Sequence, residues 1–201
     1  MEQRVNRDVG AGATDSDPDA ELMVRVRDGD AASFGALLDK HRMPVVHFLY
    51  RMIQNRAVAE ELAQEVFLRV YRSRATYEPT AKFTTWMFRI ATHLALNSLR
   101  DGKHERTQEH LDQSSGDLPA RQVPDGRPSV EQSMVNQARL GEVRRAVAAL
   151  PEKQRAAVLM HKYQEMEYKQ IAEVLGCSES AVKSLLFRAY ETLRARLAHM
   201  A

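Results

Sequence analysis

The chain is predicted to be all-α, built as two small helical domains joined by a flexible linker. Three observations predict this. Apolar residues recur at a spacing of about 3.6 from Asp17 onward. The 201 residues include nine Gly and seven Pro, too few for a turn-rich all-β fold. The periodicity lapses between Gly102 and Ser133, where Ser114-Ser115-Gly116, Pro119, Pro124, Gly126 and Pro128 gather. The expected divisions are a disordered tail over 1–16, a first domain over 17–101, a linker over 102–133 and a second domain over 134–201.

In the first domain, Asp17 or Asp19 can cap a short helix that runs through Arg27 and ends at Asp28-Gly29. Asp30 can cap the next, whose inner stripe is Phe34, Leu37, Leu38, His41, Val45, Phe48, Leu49 and Met52; Pro44 inside it is expected to kink or divide it. Asn55 can cap a third helix that buries Ala59, Leu62, Ala63, Val66, Phe67 and Val70. Its outer face is Glu60, Glu61, Gln64, Glu65 and Leu68, an acidic surface holding one exposed leucine. A loop from Tyr77 to Lys82 follows, then a fourth helix capped by Thr84 or Thr85 and running through Arg100. Met87, Ile90, Ala91 and Leu94 face its core, while Arg89, His93, Asn97 and Arg100 form a polar stripe on another side.

The linker holds five acids against two arginines between Thr107 and Gln132, a net of −3. A flexible segment of this length spans roughly 30 Å root-mean-square and about 100 Å if pulled straight, so the two domains are expected to be tethered yet free to sit on separate surfaces. The second domain opens with a helix expected to bury Val135, Leu140, Val143, Val147 and Leu150. Pro151 starts another through Met160 and Tyr163, at a position where its missing N–H costs little. Tyr168 to Leu175 is a short helix, Gly176-Cys177 a tight turn, and Ser178 the cap of a long final helix to about Leu197.

Composition excludes several classes. The longest apolar runs, Ala146 to Leu150 and Ala156 to Met160, are five residues, whereas a membrane-spanning helix needs roughly 20. The first twenty residues lack the apolar core of a secretory signal, so the chain is expected to remain in the cytoplasm. Cys177 is alone, which rules out an internal disulfide or a cysteine-based zinc cage and suits a small core residue. The net charge of +2 does not by itself announce a nucleic-acid partner, but it averages unlike parts. From Ala138 to Ala201 eleven Lys and Arg face seven acids, a net of +4.

The segment from Tyr168 to Leu186, YKQIAEVLGCSESAVKSLL, fits a helix-turn-helix. Ala172 is small where two helices cross, Gly176 can take the left-handed turn conformation, and Val182 with Leu185 can pack the second helix on the first, over Ile171 and Leu175. The outer face of the second helix is Glu179, Ser180, Lys183, Ser184, Phe187 and Arg188. Lys183 and Arg188 can donate to guanine edges or phosphates, Ser184 can bond either, and Phe187 can touch a thymine methyl or turn into the core. Arg194 and Arg196 suit phosphate contacts or a solvated helix end.

Taken together, QEVFLRVYR, FTTWMFRIATHLALNSLR, ALPEKQRAAVLMHKY and this helix-turn-helix, in that order, resemble the extracytoplasmic-function sigma factors of bacterial RNA polymerase over about Asp19 to Leu197, the linker excepted. The resemblance implies a first domain (region two) that docks on core polymerase and opens the minus-10 element, and a second (region four) that reads the minus-35 element. It implies no catalytic residue, cofactor or metal in this chain, and regulation by an anti-sigma partner, often membrane-associated. By position, Glu61, Gln64, Glu65 and Leu68 look like the polymerase contact. The stretch from Glu78 to Phe83 resembles the segment that holds a flipped-out minus-10 base, with Lys82 recovering part of the few kcal/mol that unstacking costs. The implied minus-10 set is Lys82, Phe83, Arg89, His93, Asn97 and Arg100, with Trp86 as an anchor or a stacking platform; the implied minus-35 set is Ser180, Lys183, Ser184, Phe187 and Arg188. His93 stands where many relatives carry Asn or Asp, and Leu185 where many carry a basic residue.

Rival readings are weaker. Ser180-Ala-Val-Lys183 spells the Ser-x-x-Lys of penicillin-recognising enzymes, but the companion motifs are missing. His104 and His110 with Glu105 and Glu109 lack the spacing of a metal motif. A conventional helix-turn-helix regulator would bind DNA alone and would have no use for the QEVFLRVYR and FTTWMFRIA segments.

Overall fold

A single carboxylate starts two helices. Asp17 caps the first helix, α1 (Pro18–Arg27), by accepting from the Asp19 amide at 3.1 Å, and its other oxygen accepts from the Phe83 amide at 2.7 Å, where α4 (Phe83–Glu105) begins. Thr84 and Thr85 therefore lie inside α4 rather than at its cap, contrary to the sequence expectation: the orphan amide at its start is satisfied from 66 residues upstream. These observations come from a computed structural model that describes residues 17–105 and 130–200, with side chains described except at 103–105 and 130–136.

Between these two helices run α2 (Ala31–Ile53), α3 (Arg56–Arg72) and a short 3-10 turn over Ser73–Thr76. Asp30 caps α2 through the amides of Ala32 and Ser33, and Asn55 caps α3 through Val58, as their residue types require. α2 continues through Pro44 as one element, so of the two expected effects, a kink or a division, the division does not occur. Leu37, His41, Val45, Phe48, Leu49 and Met52 are buried along it, with Phe34 and Leu38 half-buried. The α3 stripe is buried as its spacing predicts, with Leu62 half-covered. α4 is covered on a wider arc than one stripe: Met87, Ala91 and Leu94 are joined by Phe88, Thr92 and Ala95.

The second group is α5 (Val130–Ala148), α6 (Glu152–Tyr163), α7 (Tyr168–Leu175) and α8 (Glu179–Leu197), closed by a 3-10 turn over Ala198–Met200. Pro151 stands just ahead of α6 as its cap. Among the described side chains of α5 the buried position is Ala146, with Leu150 just beyond the helix; Leu140 is 50% exposed, so its predicted burial does not hold, and Val135 lies outside the described side chains. The expected 1–16 tail and most of the expected linker lie outside the described residues; at the linker's two ends α4 reaches Glu105 and α5 begins at Val130. Rather than standing apart as tethered bodies, the two groups touch: α7 packs on α4, and α5 and α6 pack on α2.

Candidate polymerase and promoter interfaces

The α7–α8 unit is built as its sequence requires. Glu167 and Gln170 form a capping box at the start of α7, the Glu167 amide donating to Gln170 Oε1 at 2.9 Å. Gly176 ends α7 with φ +62°, the left-handed conformation that most residues resist. Ser178 Oγ then accepts from the Ala181 amide at 3.2 Å and starts α8. Ile171, Ala172 and Val174 on α7 share a buried apolar core with Val182, Leu186 and Ala189 on α8. Leu185 is half-buried beside them, so Leu186 takes the central place expected of Leu185.

This locking leaves one face of α8 outward. Ser180, Lys183, Ser184, Phe187 and Arg188 are all exposed there, with Glu179 at the N-terminal edge. Phe187 is 68% exposed, which settles its two readings in favour of the surface. Ser184 Oγ donates to the Ser180 carbonyl at 3.1 Å, a local bond that a base or phosphate could replace. Farther along, Arg194 pairs with Glu191, which leaves Lys183 and Arg188 as the cations of the front half.

On α3 the expected acidic face is real. Glu61, Gln64 and Leu68 are exposed and Glu65 half-exposed, its Oε1 accepting from Arg69 Nε at 2.6 Å. Leu68 at 48% exposure and Tyr71 at 39% form an apolar edge on this polar surface.

The six residues assigned to the minus-10 element separate. Lys82 is exposed at the end of the loop. Phe83 is fully buried, packed on His41, Tyr77 and Trp86 at centroid distances of 5.4, 6.5 and 5.9 Å, so it cannot touch a base. The physical reason is that the aromatic residue next to the loop starts α4 and must fill the space under α1, leaving Lys82 as the last residue able to face out. His93, Asn97 and Arg100 are exposed in a row on α4, Arg100 Nη2 donating to Asn97 Oδ1 at 3.2 Å. Arg89 is half-buried at the mouth of a cleft of about 320 Å³, with Arg69, Arg72, Trp86 and His93 around it. Three arginines and one indole face cover this cleft. Trp86 packs at a tilt against Tyr77, centroids 5.0 Å apart, and also lines the cleft, so it anchors the helix without being lost to the interior.

Residues that sequence reasoning missed lie behind this surface. Tyr77 is buried, its hydroxyl lifted to a pKa of about 12 by burial and by Asp17 and Asp19. Asp19 is buried too, accepting from Lys40 Nζ at 2.7 Å and from His41 Nε2 at 2.9 Å. The signal available was Asp17-x-Asp19 at the start of α1, which reads as a choice of cap when it is a cap plus an ion-pair anchor. Among the described residues no group of histidine, cysteine and acid side chains is arranged to hold a metal ion, and no helix is long and apolar enough to cross a membrane.

Comparison with known proteins agrees with this layout. The family description "Sigma-70 region 2" matches residues 37–105, and "Sigma-70, region 4" matches residues 140–193. The chain is similar to the RNA polymerase sigma factor CarQ of Myxococcus xanthus, 32% identical over 179 residues that cover 89% of this chain and 97% of CarQ. It is also similar to the ECF RNA polymerase sigma factor SigW of Bacillus subtilis, 27% identical and covering 88% of this chain and 98% of SigW. Among solved structures, the sigma factor RpoE in complex with the anti-sigma factor NepR from Bartonella quintana shares the fold, with a TM-score of 0.65 at 20% identity over 82% of this chain and 96% of that one.

Proposed function

Because the chain belongs to the sigma-70 family of RNA polymerase sigma factors, in the extracytoplasmic-function group, we propose that its three exposed surfaces divide the work of promoter-specific transcription initiation. The chain is a sigma factor: it binds core RNA polymerase and directs where transcription starts, and it comes from a family whose members are not enzymes. The site assignments follow from what each surface offers. Glu61, Gln64, Glu65 and Leu68 on α3 bind core polymerase. Lys82, His93, Asn97 and Arg100, with the arginine-rich cleft at Arg89, meet the minus-10 strand. Ser180, Lys183, Ser184, Phe187 and Arg188 on α8 enter the major groove at the minus-35 element. The domain divisions proposed are region two over 17–101 and region four over 134–201.

One observation carries the assignment on α8: five residues able to reach base edges or phosphates stand together on the exposed face of a helix whose other face is locked by a capped, glycine-terminated partner. The proposed partners are core polymerase, promoter DNA and an anti-sigma factor, the last suggested by the complex in which RpoE was solved. The proposed site of action is the cytoplasm, with no cofactor. The test is run-off transcription with purified core polymerase. Wild-type chain should direct initiation from a single start. Glu65→Arg should lose core association while keeping its helical melt, since an exposed ion pair such as Glu65–Arg69 contributes at most about 1 kcal/mol. A chain that binds DNA yet never associates with core would favour the conventional regulator instead.

A further inference from the structure

The cleft between α3 and α4 gathers positive charge that the fold alone does not account for. Arg69 and Arg72 stand in the last turn of α3, where cations suit the negative end of the helix dipole, and Arg69 is also answered by Glu65 at 2.6 Å. Neither reason covers Arg89, which enters the same cleft from the second turn of α4, far from that helix's negative end. Its Nε is buried and meets no hydrogen-bond partner, and among the described residues neither Arg72 nor Arg89 forms an ion pair. No carboxylate lines the cleft among the described residues. Two unpaired guanidiniums facing one space repel each other, and an anion seated there turns that repulsion into attraction.

Chemistry narrows the anion. Guanidinium forks bond the oxygens of phosphate or carboxylate two at a time. The two unpaired guanidiniums match the roughly two negative charges of a terminal phosphate near pH 7, whereas each phosphodiester of a DNA backbone carries one. The same cleft presents the half-buried indole of Trp86, and a base of any letter can stack on such a face. A small carboxylate would leave that indole unused. At about 320 Å³ the cleft lies at the small end of ligand pockets, which run from about 300 to 1,000 Å³, so it has room for one nucleotide.

We propose that this cleft binds a free nucleotide bearing a terminal phosphate, the phosphate held by Arg72 and Arg89 and the base laid on Trp86. His93 lines the cleft and also belongs to the minus-10 set, so a bound nucleotide competes with the minus-10 strand. The site itself stands apart from the sigma-factor reading, while the competition rests on it. In a chain that directs transcription, such a site ties promoter use to the concentration of a nucleotide.

The experiment uses the full chain. Trp86 is its only tryptophan, so tryptophan emission reports on this cleft alone. Adenosine diphosphate should quench that emission saturably, inorganic pyrophosphate should displace it, and adenosine should bind at least about tenfold more weakly, as the loss of a charge-assisted contact dictates. Arg72 is exposed at the end of α3, so Arg72→Gln keeps the fold and should weaken adenosine diphosphate by about tenfold; Arg89→Gln should do the same, with helical melts recorded for both. Arg56→Gln removes the same charge from the other end of α3 and should leave the affinity unchanged. Adenosine diphosphate at roughly ten times its Kd should weaken a labelled single-stranded minus-10 oligonucleotide by about tenfold. Emission that responds to the oligonucleotide and not to adenosine diphosphate overturns the site and gives the cleft to the strand. Equal affinity in wild type, Arg72→Gln and Arg89→Gln overturns it too, and simultaneous binding of both ligands overturns the competition. Run-off transcription separates the two readings: a wild type that binds the nucleotide and makes no product fails as a sigma factor and keeps the site, and one that makes product while ignoring the nucleotide does the reverse.

Discussion

Phe83 and Lys82 are neighbours with opposite duties. The ring of Phe83 is enclosed by His41, Tyr77 and Trp86, and truncating a buried aromatic removes both its transfer energy and its packing. Phe83→Ala should cost about 3 to 5 kcal/mol in urea unfolding, whereas Lys82→Ala should leave unfolding unchanged and weaken minus-10 strand binding by a few-fold to about tenfold, as loss of one phosphate contact does. The sequence could not separate them, because an aromatic next to a loop serves equally as a stacking platform or a core plug; only the height of α1 above it decides. His41 adds a pH dependence. Burial holds its pKa below the ordinary 6.5, against the pull of Asp19 toward the charged form. A folded-state pKa below the unfolded one means that unfolding takes up a proton, so this contribution is complete above about pH 6.5 and shrinks as the pH falls below it. The urea midpoint should drop from pH 7 to pH 5, and His41→Gln should flatten that drop.

Among the elements, α7, its turn and α8 were the most legible in the sequence, since a small residue, a glycine and a capping serine each have one physical reason to stand where they do. Gly176 tests this directly. A Cβ built there meets nothing within 4 Å, so any cost of Gly176→Ala comes from the positive φ alone. That cost should be about 1 to 2 kcal/mol, read as a lower thermal midpoint. α5 was less legible: Leu140 keeps helical spacing with Val143 and Val147, yet it is exposed, because spacing shows which residues share a face and not how far along the helix that face is covered. At Pro44 only the division fails, since α2 is long and packed enough on α1, α3 and α4 to run through it as one helix.

At the scale of the whole molecule, charge is spread to keep the free chain from holding DNA strongly. Its net is +2, and the exposed front of α8 offers only Lys183 and Arg188 as cations. Affinity for a minus-35 duplex should therefore fall with salt at a log–log slope of about −2 for the free chain, and more steeply once polymerase contributes its own contacts. Anisotropy titrations at several salt concentrations would measure both. The contact between the two halves was invisible to sequence reasoning for a plain reason: Arg155 bonds backbone carbonyls, which every residue carries and which leave no trace in the letters.

The carboxylate of Asp17 has a consequence for how such a protein can diversify. Because the first amide of α4 is held by a residue from the far end of the domain, the loop just before it, Glu78 to Lys82, is relieved of any capping duty. Under the proposed minus-10 role, its letters are free to drift and so to try new promoter letters, while α4 keeps its register.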